Sequence, residues 1–238
     1  MALSATARGT GTHNSSSNGF TFVPASNLAA GSMAVLCIAI DSGGSSFSVS
    51  DTNGNTWTIR QSALVGGSPG VRADVLIATT SMDGGTITTG TTITISWTTN
   101  VVAKCAALWE IVGNNPTYVT GAAGAAFSTT FLTATTSSIT SGNIVIGSSS
   151  VESVTTITTD SDTSKGNWST AQSTGVGSAS SAMQISTQTK VTTGTGTQTY
   201  NISWSGTTDG AIAWIEVREI ATTLKDTING FGVIPYLR

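Results

Sequence analysis

Charge is what this chain has least of. Only 9% of its 238 residues are charged, 9 basic against 12 acidic, for a formal net charge of −3. That gives no electrostatic reason to hold nucleic acid, and no run of Lys or Arg supplies one locally. Histidine occurs once, as His13, among Thr, Asn and Ser, a poor place to hold a general base rigidly. The two cysteines, Cys37 and Cys105, lie in apolar stretches outside any CxxC or Cys/His cluster. They are expected to be buried thiols, with a disulfide between them as the alternative. The longest apolar run, "MAVLCIAI", has eight residues. A membrane helix needs about 20, so the run predicts a buried strand and no membrane span. The opening "MALSATARGTGTHNSSS" has neither the basic nor the apolar region of an export signal, and none is expected there. Neither a Gly-x-Ser-x-Gly elbow nor a phosphate loop with its Lys is present. No catalytic residue, cofactor or metal is therefore assigned. The enzymatic alternative is a glycosidase, whose two carboxylates can lie far apart in the sequence and so escape pairing by motif.

Thr and Ser fill the space, together about a third of the chain, with 27 Gly. Thr suits a half-exposed pleated surface, and Gly, Asn and Ser supply turns. Glu, Lys and Leu, the common helix formers, are scarce. The expected class is all-β.

The chain also repeats itself. "TITISWTTNVVAKCAALWEI" reappears as "TYNISWSGTTDGAIAWIEV", matching Trp97 with Trp204 and Glu110 with Glu216. "AGSMAVLCIAI" matches "SGNIVIGSS", "GNTW" at Gly54 echoes in "GNW" at Gly166, and Thr21-Phe22 is matched with Thr130-Phe131. Two tandem antiparallel β-sandwich units follow, at residues 19–118 and 119–222, each near the size of an immunoglobulin-like domain. A polar arm (1–18) precedes them and a tail (223–238) follows. The join "GNNPTYVTGAAGAA" reads as a linker.

"SVSDTNGNTWT", then "VLIATTSMDGGTITTGTTITISW" and "ALWEIVG", resembles a β-sandwich repeat of tailed-phage structural proteins and bacterial surface proteins. The first unit matches well, except that Ile111-Val112 replaces the usual Tyr-Ser, and the second is degenerate at "SDTSKGNW". The resemblance implies a scaffold more than an activity. With a charge-poor surface and no export signal, it points to a virion protein made in the host cytoplasm and released by lysis. Such a capsid-decoration or tail-associated protein would bind other virion proteins and form a homo-oligomer. The alternative is a glycan-binding or adhesive module at a cell surface.

Four local expectations complete the reading. Asn53-Gly54 in "SDTNGNTWTIR" predicts a type I′ hairpin turn rather than a calcium loop, since the sixth and twelfth positions from Asp51 hold Thr56 and Ser62. "DSDTSKGN" brings two carboxylates together, leaving a loose surface calcium site as an alternative there. Alternation assigns Trp57, Trp97 and Trp204 to the core. In "AKCAALWEI" one face carries Cys105, Ala107, Trp109 and Ile111, the other Lys104, Ala106, Leu108 and Glu110. Aligning the glutamates puts Trp214 at the position of Leu108 in its repeat, on the acid-bearing face, where an apolar patch implies a contact between repeats or subunits, unless a slipped register buries Trp214. The tail is too apolar to hang free: Leu224, Ile228, Phe231, Val233, Ile234, Tyr236 and Leu237 are expected to dock on a neighbour, or to fold back on the second unit.

Overall fold

The computed structural model describes residues 2–41, 46–63, 73–113, 115–135, 138–178 and 181–220. The first unit comprises β1 (Ser4–Phe22), β2 (Met33–Asp41), β3 (Phe47–Asp51), β4 (Thr58–Ala63), β5 (Ala73–Thr80) and β6 (Ile93–Val112). The second comprises β7 (Pro116–Thr135), β8 (Ile144–Val151), β9 (Ile157–Thr158), β10 (Gln172–Val176), β11 (Met183–Val191) and β12 (Thr199–Glu219). One sheet runs β1-β6-β2-β5-β4 with β3 on β6; the other runs β10-β11-β8-β12-β7 with β9 on β12. All of these pairings are antiparallel. The chain is all-β, with two sandwich-like units.

Each unit makes two layers by bending a long ribbon. The β1–β6 register shifts twice between Asn14 and Gly19, and such bulges bend and twist a strand. Beyond the bend, Ile93–Trp97 of β6 carries β3, pairing Phe47 with Trp97 and Asp51 with Ile93. The bent portion brings Ile93, Ile95 and Trp97 onto Leu36, Ile38 and Ile40 of β2, forming the first unit's own core. β12 does the same: its register with β7 shifts between Ser203 and Thr208, and Trp204 pairs with Ile157 of β9. Ile202 and Trp204 thereby close over Val145, Ile212 and Trp214. Trp97 and Trp204 are buried, and Trp57 packs half-buried against the first core.

The repeat holds in register. Glu110 lies opposite Ala34 and Glu216 opposite Val145; Met33 faces Ile111 as Ile144 faces Val217. Strands β1 to β6 thus correspond in order to β7 to β12. Between the units lies a third apolar layer, in which Val35, Cys37, Ile77 and Trp109 meet Ile146, Ile185, Ala213 and Ile215. Across it β1 meets β10 as β4 meets β7, β6 meets β11 as β5 meets β12, and β2 lies on β8. Each of these principal contacts between units has its mirror under the strand correspondence, so the halves are related by a pseudo-two-fold axis, an isologous interface within one chain.

Several sequence expectations change here. The stretch read as a polar arm is most of β1, and Gly11 shows why it lies flat: a Cβ there would come within 2.6 Å of the Phe22 ring. The presumed linker is the start of edge strand β7, whose Gly121 lets the Trp214 carbonyl and Gln61 close in. Thr21-Phe22 and Thr130-Phe131 are not counterparts, because Phe22 pairs with Ile93 and is buried, whereas Phe131 pairs with Ser203 and is 63% exposed.

The alternation in β6 is as expected, but from Ala103 to Ile111 both of its faces are buried. Leu108 faces its own unit's core, and Trp214, also buried without any register slip between β12 and β8, faces the second. The contact between repeats uses the opposite face, that of Trp109.

Candidate functional site

The stretch Asp51 to Trp57 is a turn, but not a hairpin: β3 pairs with β6 and β4 with β5, so the chain crosses between layers. Its turn is closed by Gly54 N–H donating to the Asp51 carbonyl at 3.2 Å, with Gly54 at φ +74°. The Asp51 carboxylate accepts from Asn53 N (2.8 Å), Asn55 Nδ2 (2.9 Å) and Trp57 Nε1 (2.7 Å). Asn55 Oδ1 in turn accepts from Gly84 N and Gly85 N, at 2.8 and 2.9 Å. These polar groups are spent on the crossover itself.

The glutamates that mark the repeat are loop anchors. Glu110, fully buried, accepts from Ala29 N–H, from Ser32 Oγ at 2.9 Å and from the Arg8 guanidinium. Glu216 accepts from Thr140 N at 2.8 Å and Asn143 Nδ2 at 2.7 Å. Each carboxylate ties down the turn that feeds the central strand of its unit.

His13 comes close to a catalytic arrangement and stops short of it. Its Nε2 lies 3.2 Å from Ser15 Oγ and its Nδ1 3.2 Å from Lys104 Nζ. An ammonium has only donors, so Nδ1 accepts and Nε2 carries the hydrogen. A base that takes the serine proton needs the reverse tautomer, held by a carboxylate. Burial pushes the Lys104 ammonium down to about 8, and its further partners are the Ser15 carbonyl and Ser17 Oγ.

Both cysteines are free and buried, their thiols pushed up to about 12 by burial. Where β2 and β8 end, Glu152 feels both Asp41 and Asp209; its carboxyl is raised to about 8, by burial first and then by these two charges. Asp41 is raised to about 6 by burial. Among the described residues no group of three or more His, Cys, Asp or Glu side chains is placed to hold a metal ion.

The second unit carries an open groove of about 530 Å³, lined by Phe131, Thr133, Asp160, Asp162 and Asn201 among others. Phe131 stands at the break in the β7–β12 register, where Thr129 Oγ1 donates to the Phe131 carbonyl at 3.0 Å. Asp160 braces the floor, accepting from Asn201 N at 2.7 Å and Asp162 N at 2.8 Å. Asp162 accepts from Ser164 Oγ (2.6 Å) and Gln198 Nε2 (2.9 Å), and these bonds, Ser164 first, hold its carboxyl well below the usual range. Thr133 Oγ1 donates to Asn201 Oδ1 at 2.8 Å. The result is a fixed set of oxygen acceptors beside one exposed ring. The acidic stretch of this unit therefore forms a groove wall. In the sequence Phe131 stood out only as a match to Phe22, although it sits out of phase with Leu132 and Ala134, the inward residues of "FLTA".

Of the residues expected at an interface, Leu108 and Trp214 lie in separate unit cores, and Leu224, Ile228, Phe231, Val233, Ile234, Tyr236 and Leu237 lie outside the described residues. Comparison with protein-family models, with curated proteins and with solved structures finds no match to this chain.

Proposed function

We propose that this protein is a non-enzymatic structural subunit of a tailed-phage particle, a capsid decoration or a tail-associated protein that binds neighbouring subunits. The observation that carries the reading is the apolar layer shared by the two units. It turns a tandem repeat into one block with a Thr- and Ser-rich exterior, a form suited to bearing load and contact. The carboxylates of Asp51, Glu110 and Glu216 support it, being committed to anchoring turns. Purified particles from the source phage test it: the chain should co-purify at fixed stoichiometry, and deletion of residues 223–238 should abolish incorporation while circular dichroism stays native. Absence from particles, or normal incorporation of the truncated chain, counts against it. A second reading, an adhesive module that binds glycan, is favoured by one feature, the ring of Phe131 over its polar groove.

A further inference from the structure

The two units differ most informatively where their registers say they should agree. Gly19 pairs with Ser96 in β6, and its counterpart Phe131 pairs with Ser203 in β12. In the first unit the position is closed, since a Cβ on Gly19 would come within 2.8 Å of the Ile95 carbonyl. In the second it carries the most exposed large hydrophobic side chain among the described residues, at 63%. Leaving a Phe in water forgoes about 2 kcal/mol of burial, and the adjoining inward position is already filled by Leu132 with its register partner Ile202 of β12. The ring is not completing the core.

We propose that the Phe131 groove is a binding site for a neutral saccharide chain. This deepens the second reading above and does not depend on particle assembly. A pyranose presents an apolar face of C–H groups and a rim of hydroxyls. The exposed ring matches the face, and acceptors at Asp162 and Asn201, with the Thr133 hydroxyl, match the rim. Asp162 has 34% of its side chain exposed, so the carboxylate can still accept a sugar hydroxyl beside its internal partners. Those partners fix the acceptors before ligand arrives, which limits the ordering cost on binding. Lys190 lies 3.6 Å from Asp162 but is fully buried beneath it, so the groove presents carboxylates without an accessible cation from that lysine. Acidic sugars are repelled, and neutral ones fit. The groove is open, which suits a chain passing through rather than a small molecule swallowed whole.

The full-length protein, ¹⁵N-labelled, is titrated with hexaoses of β-1,4-glucose, α-1,4-glucose, β-1,4-mannose and β-1,4-N-acetylglucosamine, and with a galacturonate hexaose as the acidic control. At least one neutral hexaose should shift the amides of Leu132, Thr159 and Asn201, and the galacturonate should not. Phe131→Ala should weaken that binding about tenfold, the effect of losing one aromatic contact, and Phe131→Trp should restore it. Position 131 is exposed, so both variants should keep the wild-type spectrum elsewhere. No neutral hexaose moving those amides, or equal binding by Phe131→Ala, would overturn the proposal. So would a protein partner that needs Phe131 while no sugar binds. Particle incorporation is scored separately, so either reading can fail alone.

Discussion

At the scale of single residues, the charged side chains are few and most are placed for structure. Glu110 and Glu216 were visible in the sequence as landmarks of the repeat, but not their role, because the donors they accept from lie more than 70 positions away. Glu152 was not singled out at all. It is the counterpart of Asp41, each lying at the end of its unit's central strand, and the pseudo-two-fold axis brings two like charges together. Both carboxyls are raised in the fold, to about 8 and about 6. A carboxyl with a raised folded pKa binds its proton more tightly in the native state, so stability falls as pH climbs from the unfolded value toward the folded one. The melting temperature should therefore decline between pH 5 and pH 7, a window above ordinary carboxylate titration and below that of Lys104. Glu152→Gln should flatten this decline and raise the melting temperature at pH 7. A variant that melts with the wild-type pH slope would show that Glu152 is not the group responsible.

Among the elements, the strands were legible and their partners were not. Alternation in β6 assigned Trp109 and Leu108 to opposite faces correctly, because a strand's period of two is local. Which face met which layer could not be read, since a strand buried on both sides has no polar face to mark the outside. The Asn53-Gly54 turn shows the same limit: its residues do turn the chain, yet β3 finds its partner in β6, 42 to 50 positions onward. The knot around Asp51 holds that crossover. Asp51→Ala removes the acceptor for Trp57 Nε1 and Asn55 Nδ2 together, and should cost about 3 kcal/mol in urea unfolding, the scale of hydrogen bonds to a charged group. Asp51→Asn keeps the shape and one acceptor oxygen, and should lose about half as much. Calcium should leave the melting temperature of the wild type unchanged, because the carboxylate is taken up by the chain's own N–H groups. A rise of several degrees on adding calcium would reassign the loop.

For the whole molecule the decisive feature is the layer between the units. The repeat predicted two sandwiches, and the registers bear out their correspondence. The symmetry axis between them was not predicted, because the residues that form it read simply as alternate strand positions. Trp109 crosses this layer, its Nε1 donating to Thr187 Oγ1 of the other unit at 2.9 Å. Two domains on a linker would unfold separately. Units that share a buried apolar face cannot, since melting either one exposes the inner face of the other. The full chain should show one calorimetric transition that coincides with loss of both near- and far-ultraviolet circular dichroism. Trp109→Ala should lower that single transition by about 3–5 kcal/mol, the usual cost of deleting a buried aromatic, without splitting it. Two resolved transitions in the wild type, or a variant that destabilises the first unit alone, would mean that the halves fold as independent domains and that the central layer contributes little.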